Sequence, residues 1–138
     1  MEELEFTDEA PSFADFDRRS FSAALDDGGT ATHDIYSLGK GPPIVVLQEL
    51  PGLGRSARLL AARLVEHGFT AHLVHLLGPI DKRATASNSL RALCMRRELS
   101  LLARGKSSPL VSWLRALCRD IDSSAGPDGV GVIGMCLT

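Results

Sequence analysis

The amino-acid sequence predicts a layered α/β fold, with a mostly parallel sheet and helices that flank it. Residues 44–48 and 130–134 form two continuous apolar runs, which are typical of strands covered on both faces. Segments with helical periodicity alternate with the strand-like segments, and turns rich in Gly and Pro separate them. The order strand, strand, helix, strand, helix, helix, strand indicates three layers, with helices packed on a sheet.

The first predicted elements lie between residues 30 and 76. Residues 30–38 alternate well enough for an edge strand, and a turn at 40–43 leads into the strand of residues 44–48. A helix of about twelve residues has Ser56 as its N-cap and stops at Gly68. The apolar residues on one face of this helix are expected to be buried: Ala57, Leu60, Ala61 and Leu64. Residues 70–76 form the next strand.

The remaining predicted elements lie between residues 81 and 134. Residues 81–88 are a polar loop, and residues 89–103 are helical in composition, with Gly105 closing the helix. Ser108 as N-cap and Pro109 at the first helical position open another helix. The buried stripe of that helix is expected to contain Leu110, Trp113 or Leu114, Leu117 and Ile121. A turn at 125–129 leads into the last strand, residues 130–134.

Charge is distributed unevenly along the 138 residues, although the formal net charge is only −2. Residues 1–34 hold ten acidic and two basic residues, whereas the rest of the chain holds seven acidic and thirteen basic ones. Residues 1–29 are therefore predicted to be an acidic N-terminal arm, parts of which Phe13, Phe16 and Phe21 could attach to the domain. Residues 30–138 are predicted to be a single α/β domain.

Composition also sets the expected partners and compartment. The arginines are scattered along helices with few aromatic residues between them, which argues against nucleic-acid binding. There is no signal-peptide pattern at the start and no apolar stretch long enough to span a membrane. The three cysteines are few, odd in number and not paired as in zinc sites, which suits free thiols in the cytoplasm. No cofactor or metal is expected, and the oligomeric state is left open.

The segment Gly134-Met135-Cys136-Leu137-Thr138 follows the last apolar strand. A strand that ends in Gly-x-nucleophile-x-small is the nucleophile elbow of α/β hydrolases, in which a tight turn exposes the nucleophile above the sheet. Cys136 is then the candidate nucleophile. Thr138 stands where the commoner elbow has Gly, and it is small enough for the turn.

A second segment, Pro-Ile-Val-Val-Leu-Gln-Glu-Leu-Pro-Gly-Leu at residues 43–53, resembles the dienelactone hydrolase family. The resemblance extends through residues 61–69, 97–99 and 108–117, and it covers roughly residues 44–138. It implies an α/β hydrolase fold and hydrolysis of a small-molecule carboxylic ester or lactone through a cysteine acyl-enzyme. It also implies that Glu49 faces Cys136, holds the thiol proton in the resting state and takes part in activating the thiol.

The oxyanion hole of this fold uses the N–H of the residue after the nucleophile and an N–H from the loop after an earlier strand. These donors are expected to be the backbone amides of Leu137 and Leu50, since Pro51 has no N–H. The acid and histidine of the triad follow the nucleophile in chain order. They are expected after Thr138, which makes these residues the N-terminal part of an incomplete domain whose C-terminal half is missing.

Two other functions stay open. Residues 52–57 match the letters of a dinucleotide-binding fingerprint between a strand and a helix, which would suit a nucleotide-binding Rossmann-like module. However, no acidic residue ends the next strand, where the ribose carboxylate is expected. The other alternative is a non-catalytic remnant or interaction protein. Nothing in the sequence identifies the substrate.

The four histidines do not form a predicted site. His72 and His75 are expected to point to opposite faces of one strand, because side chains alternate. His33 and His67 are expected at the surface, and none of the four is predicted to be the catalytic base.

Overall fold

The computed structural model describes residues 9–25, 28–47, 53–76, 109–126 and 129–134. A short 3₁₀ helix covers Phe13–Asp15, and a mixed α/β arrangement follows it. The described strands are β1 (Asp17–Ala24), β2 (Thr30–Leu38), β3 (Pro43–Leu47), β4 (Thr70–His75) and β5 (Gly131–Gly134). The described helices are α1 (Arg55–Glu66) and α2 (Pro109–Ala125).

The five strands form one sheet in the order β1-β2-β4-β3-β5. Strand β3 pairs in parallel with β4 and β5, whereas β2 pairs antiparallel with β1 and β4. Four of the five strands therefore point the same way, as a mostly parallel sheet requires, but half of the pairings are antiparallel. The sheet is mixed because β2 runs against all the others.

Strand β1 lies within the segment that the sequence predicts to be an arm. It pairs with β2 along its whole length, from Asp17 opposite Ser37 to Ala24 opposite Thr30. The prediction that β2 is an edge strand is therefore wrong, because β1 covers its outer side. Most of β1 is exposed, so its charged and polar residues hide the strand pattern. The division between arm and domain at residue 29 itself stays a prediction.

Each face of the sheet carries its own apolar core. On the α1 side, Val46 and Leu73 pack with Ala57 and Ala61 of the helix. On the α2 side, Val45 packs in a core whose other buried members are Ile35, Val74, Trp113, Leu117 and Ile121. The neighbours Val45 and Val46 are both fully buried on opposite faces, which confirms the prediction of a strand covered on both sides.

The predicted aromatic attachments of the N-terminal segment are present in the described part. Phe16 belongs to the core on the α1 side, and Phe13 packs against it. The Phe13 ring lies 4.9 Å from that of Tyr36, measured between centroids. Phe21 instead packs on the α2 side. Residues of this segment therefore reach both faces of the sheet.

Helix α1 begins two residues earlier than predicted. Its N-cap is Gly54 rather than Ser56, and no side chain caps the first turn. Its end agrees with the prediction, since Gly68 has a φ of 87° after the C-cap residue His67. The Gly68 N–H donates to the Val65 carbonyl and the Phe69 N–H to the Leu64 carbonyl, which is a Schellman motif.

The buried stripe of α2 also agrees with the sequence. Trp113, Leu117 and Ile121 are buried, and Leu114 is half-buried, so Trp113 occupies the inner position of the predicted pair. The predicted loop at 81–88 and the predicted helix at 89–103 lie outside the described residues.

Candidate functional site

The ends of β3 and β5 define the candidate site. The two strands are parallel neighbours, and their register runs from Ile44 opposite Gly131 to Leu47 opposite Gly134. The last residues of both strands are therefore Cα partners. It follows that the chain leaves β3 and β5 at the same level and at the same edge of the sheet.

The order of the strands reverses at β3. Strand β4, which follows β3 and α1 in the chain, lies on one side of β3, and β5, which follows α2, lies on the other. The two helices cover opposite faces, since α1 packs on β4 and β2 and α2 packs on β1 and β3. In open α/β sheets, ligands bind beyond the carboxyl ends of the strands where the order reverses. The topology therefore points to the carboxyl ends of β3 and β5, which the two sequence motifs also follow.

The predicted site residues themselves lie outside the described residues. They are Glu49 and Leu50 in the segment after β3, and Cys136 and Leu137 in the segment after β5. The structure describes the two strands that carry these segments. It brings together the ends Leu47 and Gly134, from which each segment starts.

The described surroundings of this edge are apolar on the α2 side. Leu47 at the end of β3 and Leu76 after β4 are half-buried and pack against the core that contains Trp113. An apolar environment raises the pKa of a thiol, as it does for Cys118 on α2, whose pKa is raised by burial. A cysteine in such surroundings needs a neighbouring group that stabilises the thiolate before it can act as a nucleophile.

The dinucleotide fingerprint gains no steric support. A Cβ atom at Gly54 would meet nothing within 4 Å, and the φ of −141° is extended backbone that any residue adopts. Strand β4 ends at His75, which is followed by Leu76, so no carboxylate stands at the end of the strand. The small residue Ala57 is buried in the core between α1 and the sheet, as the third small residue of the fingerprint would be, but such packing is common wherever a helix covers a sheet.

Two half-buried histidines lie on the α2 face, and one of them, His33, is predicted to be at the surface. The ring of His33 meets that of Trp113 edge-on, with centroids 4.7 Å apart, so the prediction of a surface residue is wrong for His33. Burial is the main cause that lowers the pKa of His33. His67 is exposed, as predicted. The contact joins residues far apart in the chain, and no local pattern signals it.

The other buried imidazole belongs to His72. Its Nδ1 lies 2.7 Å from Ser37 Oγ, and its pKa is lowered by burial and then by the charge of Arg19. Because Leu73 belongs to the core on the α1 side and Val74 to the core on the α2 side, His72 and His75 face opposite sides, as predicted. Within the described residues, no group of three His, Cys, Asp or Glu could hold a metal ion.

No family model matches the chain, and no curated protein matches it. Several solved structures resemble the chain in part, and three of them have TM-scores of 0.42–0.48. A zinc-bound, cold-adapted esterase from an Arctic intertidal metagenomic library is 21% identical, with a TM-score of 0.48; the likeness covers 89% of this chain and 49% of that one. The epoxide hydrolase VrEH1 from Vigna radiata is 20% identical, with a TM-score of 0.47; the likeness covers 89% of this chain and 32% of the hydrolase. The hetero-hexameric glutamate dehydrogenase from Thermus thermophilus is 18% identical, with a TM-score of 0.42; the likeness covers 88% of this chain and 27% of the dehydrogenase.

The chain thus spans about half of the esterase and about a third of the epoxide hydrolase. At these identities and TM-scores, the likenesses do not by themselves establish the fold or an activity of this chain. Neither described helix combines the length and the apolar character that a membrane crossing needs.

Proposed function

We propose that this chain is part of an α/β hydrolase of the dienelactone hydrolase type, which cleaves a small-molecule carboxylic ester or lactone through a cysteine acyl-enzyme. The observation that carries the proposal is the shared level at which β3 and β5 end. Leu47 and Gly134 are Cα partners, so the two segments with the proposed catalytic residues start side by side.

Equal spacing beyond this pair supports the roles of the two residues. Glu49 is two residues beyond Leu47, and Cys136 is two residues beyond Gly134. Neighbouring strands are about 4.8 Å apart, so the two segments start close together. The elbow would turn the chain after Gly134 and lift the Cys136 thiol above the ends of the strands, where the segment after β3 would bring the Glu49 carboxylate within reach of a proton transfer.

The proposed reaction uses these groups in order. Glu49 holds the thiol proton at rest and helps to release it, and the Cys136 thiolate attacks the carbonyl carbon of the ester. The oxyanion that forms accepts hydrogen bonds from the backbone N–H groups of Leu50 and Leu137. The C–O bond then breaks, the leaving oxygen takes a proton, and water hydrolyses the thioester to the acid and the free thiol.

The proposal also needs the acid and the histidine of a triad, which in this fold follow the nucleophile in the chain. The thiolate of a cysteine in an apolar site needs such a partner, since burial alone raises its pKa.

The test is ester hydrolysis by a protein that contains this chain together with an acid and a histidine that follow Cys136 in the order of this fold. Cys136→Ala should abolish hydrolysis, and Glu49→Gln should lower kcat about 10²–10⁴-fold, the usual range for general-base help. Cys118→Ala on α2 is the matched control and should leave the rate unchanged. Hydrolysis that survives Cys136→Ala would contradict the proposal.

A nucleotide-binding module and a non-catalytic remnant remain the alternatives. No described feature favours either one, because Gly54 approaches nothing closely and no carboxylate ends β4. Binding of a nicotinamide dinucleotide by the chain would favour the first.

A further inference from the structure

A groove of about 510 Å³ lies on the α2 side, at the edge of the sheet opposite the proposed active site. Its walls are the starts of β3 and β4, the last turns of α2, and Arg19 of β1. The proposed hydrolase chemistry uses none of these residues. A volume of this size is within the range of small-molecule sites.

Three hydroxyl groups that line the groove already donate their hydrogen atoms to backbone carbonyls. Thr70 Oγ1 donates to the Gly41 carbonyl at 2.9 Å, Ser123 Oγ to the Asp120 carbonyl at 2.7 Å, and Ser124 Oγ to the Ile121 carbonyl at 2.9 Å. A hydroxyl has one hydrogen and two lone pairs. Toward a ligand, these three hydroxyls can therefore only accept hydrogen bonds.

The charges of the groove also favour a donor. Asp120 Oδ2 lies 3.0 Å from Arg19 Nη2, so the one positive side chain is balanced by a carboxylate that keeps further lone pairs. The groove contains the carboxyl end of α2, where the helix dipole is negative. The last turn of α2 has no basic residue to offset that dipole.

The environment of His72 disfavours a positive charge on its imidazole. Its Nδ1 is engaged by Ser37, at 2.7 Å from Oγ, and burial is the main cause of its lowered pKa, with Arg19 second. Protonation of His72 is therefore disfavoured while Arg19 is close. The ring leaves the slightly negative, acceptor-rich character of the groove intact.

We infer that this groove binds a primary alkylammonium ion, such as one end of a small aliphatic amine. An ammonium group carries three N–H donors and no acceptor, which matches hydroxyls that can only accept and a carboxylate with free lone pairs. Pro43 and Ile121 supply apolar wall for the aliphatic stem. This inference is independent of the proposed hydrolase function.

The test is a titration of the chain with n-butylammonium chloride, followed through the backbone amide NMR signals of Thr70, Ser123 and Ser124. We expect saturable shifts confined to the groove. Butyltrimethylammonium chloride has the same charge but no N–H donor, and sodium phosphate has the opposite charge, so neither should produce them. Equal shifts with the quaternary ion, stronger binding of phosphate, or no saturable shift with n-butylammonium would overturn the inference.

A pair of variants on α2 separates direct contact from general charge. Asp120→Asn should weaken n-butylammonium binding about three- to fivefold, the usual effect of losing one charge partner at a solvent-exposed carboxylate. Asp122→Asn removes the same charge from an exposed position of the same helix that does not line the groove, and it should change the affinity less than about twofold. Equal effects of the two substitutions would contradict the inference. Both side chains are exposed, so the fold should survive either change.

Discussion

The two outer strands of the described sheet, β1 and β5, are built in opposite ways. Strand β1 has eight residues and begins with Asp17, Arg18 and Arg19, whereas β5 has four residues and no charge. Val132 of β5 is 54% exposed and is the only large exposed hydrophobic residue in the part of the chain that the structure describes. Charged residues on an outer strand discourage pairing with other chains, and β5 lacks them.

Within the part of the chain that the structure describes, β1 therefore has the charged outer side of a protected edge strand, whereas β5 does not. On β1, Arg18 Nη2 pairs with Asp34 Oδ2 at 2.7 Å, and Arg19 reaches Asp120 of α2. The composition of β5 is that of a strand covered on both faces, although it stands at the outer position of the described sheet. This agrees with the proposal that the chain is part of a larger α/β domain.

The largest expected effect on stability is at the anchor of β1. Trp113 of α2 is fully buried, its ring lies 5.7 Å from that of Phe21, and its Nε1–H donates to the Phe21 carbonyl at 3.3 Å. Trp113→Ala should lower the free energy of unfolding by about 3–5 kcal/mol, the usual cost of emptying a large aromatic site. Denaturation in urea measures this value. A decrease in the free energy of unfolding of less than about 1 kcal/mol would mean that Trp113 does not attach β1 to α2.

Two half-buried histidines on the α2 face, His33 and His72, have pKa values lowered by burial, and His33 contacts Trp113 at the anchor of β1. Burial holds the pKa of His33, which packs on Trp113, below the ordinary value near 6.5 that applies in the unfolded chain. The unfolded chain therefore binds the proton first, and the free energy of unfolding should fall as the pH drops through about 6.5. The lowered pKa of Asp34 acts in a different window, since its contribution is lost only below about pH 4.

The melting temperature at pH 7.5 and pH 5.5 checks this expectation. His33→Phe should reduce the difference between the two temperatures, because it removes the buried imidazole and keeps a ring against Trp113. A pH dependence that His33→Phe does not alter would rule out this source.

The smallest expected effect on stability, with a visible effect on association, is at β5. Val132→Lys places a charge on the exposed position of this strand and should change the free energy of unfolding by less than about 0.5 kcal/mol. It should also reduce self-association of the chain, because a charged edge resists pairing. Sedimentation velocity compares the variant with the parent chain. A parent chain that is already a monodisperse monomer would contradict the idea that the β5 edge is open.

The mirror experiment on β1 sharpens the comparison. Replacing Arg18 and Arg19 together by Thr should increase association, because it removes the two positive charges that protect the outer strand β1 from pairing with other chains. The same sedimentation measurement applies. If this double substitution has no effect while Val132→Lys does, association runs through β5 alone.

Local patterns predicted much of this fold. Strand β3 was readable because Val45 and Val46 are apolar on both faces, and α2 because Trp113, Leu117 and Ile121 recur at helical spacing. Strand β1 was missed because its exposed charged residues carry no apolar alternation. The start of α1 was misplaced because a glycine N-cap leaves no side-chain signal.

The candidate site depends on information that local patterns do not contain. The sequence identifies two motifs that each follow a strand, but which strands are neighbours is decided by long-range packing. The pairing of β3 with β5 joins residues nearly ninety positions apart, from Ile44 to Gly131. The contact between His33 and Trp113 likewise depends on long-range packing, so no local pattern predicts it.

The most direct test of the central claim is a cross-link between positions 49 and 136. In a chain with Cys94→Ala and Cys118→Ala, Glu49→Cys should form a disulfide with Cys136 under mild oxidation, since neighbouring strands hold Cα atoms within the 4.4–6.8 Å that a disulfide needs. Gln48→Cys is the matched control, because alternation turns that side chain to the other face. Mass spectrometry of the unreduced protein should find the disulfide in the first variant and not in the second. No disulfide in either variant, or equal amounts in both, would contradict the proposed pairing of Glu49 with Cys136.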